Sequence, residues 1–125
     1  MKRSTFLLIC AIIGALIGLV LVLMPAKAAE GFGISSSPVN NLLLQAIGSR
    51  VLAVAVLNFM VRNDRGSNSL KAVLVLNMVV FAINLVDDLI GINKGIIQFD
   101  KVAVGQIANA FMGLGSLYYW MKMRG

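Results

Sequence analysis

Four apolar stretches, each about 20 residues long, determine what this chain can fold into. They cover residues 6–24, 42–61, 72–92 and 102–120. A helix of about 20 residues crosses the ~30 Å hydrocarbon core of a bilayer. Backbone groups in hydrocarbon must be bonded within a helix or a closed barrel, and these continuous runs lack the alternation of barrel strands. The sequence therefore predicts an all-α fold, an integral membrane four-helix bundle that forms a single transmembrane domain over residues 1–125.

The composition agrees with a membrane protein. Hydrophobic residues make up 59% of the chain and charged residues 13%, and the mean hydropathy is +0.91. Soluble domains are about half apolar and a quarter charged. The 11 basic residues outnumber the 5 acidic ones, and most of them border the apolar stretches. We therefore expect them to meet the anionic headgroups of the lipid bilayer, with no nucleic acid as a partner.

The same basic residues predict an orientation. Seven of them precede the first stretch, connect the second to the third, or follow the fourth, whereas Lys27, Lys94 and Lys101 border the other ends. Loops rich in lysine and arginine stay in the cytoplasm. We therefore expect both termini in the cytoplasm and the protein in the cell (cytoplasmic or inner) membrane. The seven residues are Lys2, Arg3, Arg62, Arg65, Lys71, Lys122 and Arg124.

The first stretch has a second interpretation. Lys2 and Arg3 precede it and Ala26-Lys-Ala28 follows it, a pattern that is also typical of a cleaved signal peptide. The apolar run is longer than is usual in such peptides, and its Gly14-x-x-x-Gly18 pattern favours packing against another helix. We expect a transmembrane helix here, and the other three stretches keep the same orientation in either case.

Three ionisable side chains lie inside the apolar stretches: Arg50 in the second, and Asp87 and Asp88 in the third. Ionisable groups at membrane depth are costly, so they tend to be paired and functional. A helix rotates by ~100° per residue, and at this spacing the polar residues of the last three helices fall on faces that we expect to point into the bundle. We expect these polar residues to lie in the outer half of the bundle. We call this set the outer polar cluster: Gln45, Ser49, Arg50, Asn84, Asp87, Asp88, Gln106 and Asn109.

Arg50 and Asp88 are the predicted ion pair of the outer polar cluster, because an arginine can extend towards the membrane surface. Asp87 lies beside the inward stripe and is the more dispensable aspartate. The cluster has two interpretations. It is either a site for a small ligand, a lipid headgroup or a proton, open to the outside, or a set of contacts that fixes helix register. In the inner half, Asn58 and Asn77 form a second pair that could meet.

Some kinds of chemistry are excluded by composition. The chain has no histidine, which removes histidine-based acid–base catalysis and metal or haem ligation. Cys10 is the single cysteine, so neither an internal disulfide nor a cysteine metal cluster can form. We expect no catalytic residue, no cofactor and no metal.

The layout resembles the small four-helix DoxX-like membrane proteins, in particular those of the DUF4345 type. The resemblance depends on Met24-Pro25 at the end of the first helix and on Ile47-Gly-Ser-Arg50-Val-Leu-Ala-Val-Ala in the second. Members often carry an acidic residue in the fourth helix, where this chain has Gln106 and Asn109. The resemblance implies a four-helix membrane fold and little about activity.

Two functional hypotheses follow. The first is a non-enzymatic multi-pass membrane protein that acts as an accessory or interaction module, with a homo-oligomer or another membrane protein as its partner. The second is a small ion- or proton-coupled transporter or channel that works as a homo-oligomer and uses Arg50, Asp87 and Asp88. Small multidrug transporters need a glutamate in the first helix, and residues 6–24 contain none.

Overall fold

The computed structural model describes residues 1–124, which fold into five helices. Four of the helices are long and one is short. Their bounds are α1, Arg3–Leu23; α2, Pro25–Gly31; α3, Pro38–Val61; α4, Asn68–Asn93; and α5, Phe99–Arg124. The all-α prediction is therefore confirmed for the described residues, and each long helix contains or overlaps one predicted stretch.

Within residues 1–124, three helices are long and apolar enough to cross a membrane: α1, α3 and α4. This result indicates a membrane protein. Residues 102–120, the fourth predicted span, lie in α5, which is not among the three helices that reach this apolarity. Gln106, Asn109 and Ser116 interrupt that part of α5, so it falls below the other three helices in apolarity.

The ends of the helices follow from local sequence. α1 ends at Leu23 and α2 begins at Pro25, because a proline lacks a backbone N–H but fits the first turn of a new helix. The sequence did not predict α2. Ser37 and Ser67 are the N-caps of α3 and α4. Each hydroxyl accepts a hydrogen bond from the backbone N–H three residues later at 3.1 Å, which is the usual N-cap arrangement.

The long helices pack as two pairs, α1 with α3 and α4 with α5, and contacts between the pairs are sparser. Glycines make the close approach in the first pair. A Cβ atom on Gly14 would lie 3.1 Å from the Cβ of Ala55, and one on Gly48 would lie 2.9 Å from the carbonyl oxygen of Gly18. The packing role predicted for Gly14-x-x-x-Gly18 is confirmed.

The two pairs join most tightly at one end of the molecule, which we call the basic end. The N-terminus, the last turns of α5 and the α3–α4 turn lie there: the Tyr119 hydroxyl donates to the Met1 carbonyl at 2.6 Å, and Arg3 donates to the Asp64 carbonyl. The rings of Phe6 and Tyr119 are 5.1 Å apart. An apolar core fills this end, made of Phe6, Leu7, Cys10, Val61, Leu70, Val73, Leu74 and Tyr119.

At the opposite end, α2 folds back onto the helices. Ala28 and Ala29 of α2 are buried against Leu21 and Leu44, and Phe32 packs beside them. The two pairs are therefore held together at the basic end, and α2 packs against the α1–α3 pair at the other. The space between the pairs near α2 contains the candidate site.

Candidate functional site: a cavity between the two helix pairs

A partly open cavity of about 440 Å³ lies between the two helix pairs. Its wall is mainly apolar, with Ile17 from α1, Val54 from α3, Met112 from α5 and Phe32 near α2. Pockets of a few hundred Å³ with apolar walls and a few polar groups are typical sites for small molecules. The cavity is therefore large enough for part of an amphipathic molecule.

Four residues of the outer polar cluster line this cavity: Arg50, Asn84, Asp88 and Asn109. They come from α3, α4 and α5, so the folding of both pairs brings them together. At 1.5 Å per residue, Arg50 lies about 18 Å from the start of α3, whereas Asp88 lies about 8 Å from the end of α4. The start of α3 and the end of α4 both lie at the end of the molecule near α2. Measured from there, Arg50 lies deeper than Asp88.

Gln106 holds the carboxylate of Asp88. Its side-chain Nε2 donates to Asp88 Oδ2 and, at 3.2 Å, to the backbone carbonyl of Asn84. The other amide atom, Gln106 Oε1, is buried and has no hydrogen-bond partner among residues 1–124. A buried acceptor without a partner costs free energy.

The predicted ion pair between Arg50 and Asp88 is not formed. Within the part of the chain that the structure describes, no carboxylate oxygen lies within 4.0 Å of an Arg50 nitrogen. Asp88 is on α4, which packs mainly against α5, so Gln106 is its nearest polar neighbour; Arg50 is on α3 in the other pair. Arg50 and Asp88 thus share one cavity without neutralising each other.

The other four predicted residues, Gln45, Ser49, Asp87 and Gln106, lie outside the cavity lining. Gln45 donates from Nε2 to the Val22 carbonyl at 3.2 Å, linking α3 to α1. The Ser49 hydroxyl donates to the carbonyl of Gln45 at 3.0 Å, so its bond stays within α3. Asp87 is exposed, as expected for the more dispensable aspartate.

A second polar group lies in the half of the molecule nearer the basic end. Asn58 and Asn77 exchange side-chain hydrogen bonds of 3.1 and 2.8 Å, and Asn77 also donates to the Ser116 hydroxyl at 3.0 Å. We call Asn58, Asn77 and Ser116 the inner polar triad; all three are buried. The expected meeting of Asn58 and Asn77 is confirmed. Helical phase predicts Ser116 on the inward face of α5, but it does not reveal which residue of α4 Ser116 meets.

The inner polar triad lies beyond the cavity, towards the basic end, and outside its lining. Asn58 Nδ2 also donates to the carbonyl of Val54 at 2.8 Å, and Val54 lines the cavity. Ser116 lies one helical turn beyond Met112 on α5. Below the triad, the aromatic and aliphatic core of the basic end fills the space between the pairs. The cavity therefore ends within the molecule.

The described residues offer little for metal ligation. Among residues 1–124, no group of three or more cysteine, aspartate or glutamate side chains is close enough to hold a metal ion. Asp88, Asn84 and Asn109 provide oxygen acceptors, and Arg50 provides donors. The cavity can therefore offer hydrogen bonds and opposite charges above an apolar wall.

No protein-family model, no curated protein and no solved structure matches this chain.

Proposed function

We propose that this is a multi-pass protein of the cell membrane in which four long helices, α1, α3, α4 and α5, cross the bilayer as a bundle. The three apolar helices support the proposal directly. For α5, support comes from the distribution of its side chains. Val104, Ile107 and Leu114 are exposed and suit a lipid-facing surface, whereas Gln106 bonds to α4. A DoxX-like relationship is compatible with this arrangement and stays a hypothesis.

The distribution of charge supports a cytoplasmic location for the basic end. That end carries seven of the 11 basic residues and one acidic residue, Asp64. The other end and the outer polar cluster carry the remaining charges in equal numbers of each sign. Because lysine and arginine are enriched on the cytoplasmic side, the end with α2 faces outwards. Arg62 and Arg124 also stack on Phe59 and Trp120 at 3.7 and 4.4 Å, as suits a membrane interface.

Labelling of paired cysteine variants tests this topology. Asn63→Cys lies in the α3–α4 turn and Asn93→Cys at the end of α4, and both positions are exposed. Cys10 is buried, so it can stay in place. We expect a membrane-impermeant maleimide added to intact cells to label Asn93→Cys but to label Asn63→Cys only after permeabilisation. Labelling of Asn63→Cys in intact cells would reverse the orientation.

Within this topology, the proposed function is that of an accessory module that holds one amphipathic molecule from the outer leaflet. The observation that carries it is the cavity, whose wall is mainly apolar and includes Arg50, Asn84, Asp88 and Asn109. A membrane-embedded cavity of this kind offers hydrocarbon contact to a tail and hydrogen bonds to a head. Such a module could present its ligand to a partner membrane protein or to another copy of the chain.

The geometry favours binding over conduction. A channel or transporter through one bundle needs a polar path across the whole membrane. Here the inner polar triad has its hydrogen bonds made within the protein, and the core beyond it is apolar. A transport path would therefore have to form between copies of the chain. The binding function needs only the cavity that a single copy contains.

Filling the cavity tests the binding function. Ala108 lines the cavity, and the neighbouring Ile107 is 72% exposed. We expect Ala108→Phe to lower the fraction of protein that retains a lipid in native mass spectrometry by about tenfold, because the phenyl ring occupies the binding volume. The matched control, Ile107→Phe, should retain the ligand. Equal retention by both variants and the wild type would contradict a cavity-bound ligand.

A further inference from the structure

One cavity contains an arginine and an aspartate that do not neutralise each other. Arg50 and Asp88 both line it, and among residues 1–124 no carboxylate lies within 4.0 Å of the Arg50 nitrogens. Charged groups placed in an apolar environment are costly unless they are paired and hydrogen-bonded. Opposite charges held apart across one binding space therefore suit a ligand that itself carries both charges.

The order of the groups along the cavity indicates how such a ligand would be oriented. Val54 and Met112 lie deepest, Arg50 is at an intermediate depth, and Asp88 lies nearest the outer end of α4. In a zwitterionic phospholipid the acyl tails, the phosphate and the amine follow one another in the same order from hydrocarbon to water. The apolar wall thus faces the tails, Arg50 the phosphate and Asp88 the amine.

The chemistry of each group agrees with this order. A guanidinium is planar and presents parallel donors that match the oxygens of a phosphate. Asp88 accepts a bond from Gln106 on Oδ2, which leaves the carboxylate able to accept from a ligand as well. Arginine's long side chain also lets its head move outwards while its stem stays in the apolar wall.

The carboxylate of Asp88 separates one class of amine from another. Asp88 lines the cavity, and its Oδ2 accepts from Gln106 Nε2, which holds the carboxylate in place. A primary ammonium has three N–H donors and can hydrogen-bond to the carboxylate. A quaternary ammonium has none, so it would only approach Asp88 as a charge.

We propose that the cavity selects a phospholipid whose headgroup combines a phosphate with a primary ammonium, as in phosphatidylethanolamine. This inference rests on the proposed function and specifies its ligand. Arg50 binds the phosphate, Asp88 accepts from the ammonium, and the apolar wall contacts an acyl tail.

A series of lipids tests the inference on the wild-type protein. Delipidated protein is titrated with phosphatidylethanolamine, its N-methyl and N,N-dimethyl derivatives and phosphatidylcholine, all with the same acyl chains, and binding is measured by native mass spectrometry. The positive charge is constant across the series, whereas the N–H donors fall from three to none. We expect affinity to fall by at least about tenfold from the first lipid to the last. Equal affinity across the series would overturn the inference.

Variants then assign the two ends of the headgroup. Asp88→Asn should reduce the preference for phosphatidylethanolamine over phosphatidylcholine to within about twofold, whereas Arg50→Gln should weaken both lipids by about tenfold. Asp87→Asn is the matched control, because Asp87 is exposed and outside the cavity, and it should keep the wild-type preference. An unchanged preference in Asp88→Asn would contradict the role of that carboxylate.

Two further arms separate the possible outcomes. Inorganic phosphate has the negative charge alone and phosphoethanolamine has both charges, but neither has a tail. Neither should displace the lipid at equal concentration; displacement would identify a water-soluble phosphate as the ligand. If every lipid binds equally and Ala108→Phe abolishes binding, the cavity is a lipid site and only the headgroup inference fails. If no lipid binds, or if Ala108→Phe changes nothing, the proposed function fails as well.

Discussion

Gly48→Ala is expected to destabilise the packing of α1 against α3. A Cβ at position 48 would lie 2.7 Å from the Cβ of Leu21 and 2.9 Å from the backbone oxygen of Gly18. Neither atom is the free end of a flexible side chain, so α1 and α3 must move apart. Overpacking of this kind costs about 1–3 kcal/mol, and we expect thermal unfolding in detergent to begin several degrees lower.

The control for this experiment is the same substitution at Gly105. That glycine lies within α5, and no atom lies within 4 Å of an added Cβ. Replacing glycine with alanine inside a helix is otherwise favourable by about 1 kcal/mol, so Gly105→Ala should be neutral or stabilising. If Gly48→Ala were as stable as Gly105→Ala, the close approach of α1 and α3 would be wrong.

Asn77→Leu is expected to give the second large loss of stability. It removes the hydrogen bonds that connect Asn77 to Asn58 and to Ser116 and leaves buried polar atoms without partners. An unpartnered buried group costs about 1–3 kcal/mol, although hydrogen bonds between membrane helices average only about 0.6 kcal/mol. We expect a loss of about 2 kcal/mol in the free energy of unfolding. The control variant Asn93→Leu, at the exposed end of the same helix, should unfold with a free energy near that of the wild type.

A double-mutant cycle distinguishes a lost network from lost packing. Asn58→Leu and Asn77→Leu together remove both amides of the inner polar triad. Each single variant leaves the other amide buried without its partner, whereas the double variant does not. We expect the double variant to be less destabilised than the sum of the two single variants. Strict additivity would show that the two amides do not interact, and the joining of α3 to α4 at this point would then need another explanation.

The long helices could be predicted because hydrocarbon thickness sets the length of an apolar stretch. Residues 42–61 and 72–92 lie inside α3 and α4. Both helices begin earlier than predicted, because Ser37 and Ser67 cap a polar first turn that apolarity alone does not detect. α2 was missed for a related reason: Pro25 indicates the end of one helix, and a short polar helix after it leaves no apolar signal.

The site was predicted less completely than the helices. Helical phase identified Arg50, Asn84, Asp88 and Asn109 as inward-facing, and they line one cavity. Phase does not reveal which helices pack as pairs. Because α4 packs mainly against α5, Asp88 meets Gln106, and the predicted bond from Arg50 is absent. The depth of Arg50, deeper than Asp88 along the cavity, also separates the two charges.

The central claim is tested most directly by an experimental structure of the wild-type protein. The protein is extracted with its native lipids, and a bound antibody fragment increases its size. The account predicts elongated density along the apolar wall between the two helix pairs, with its head between Arg50 and Asp88. An empty, collapsed cavity in which the Arg50 guanidinium lies within bonding distance of the Asp88 carboxylate would contradict it.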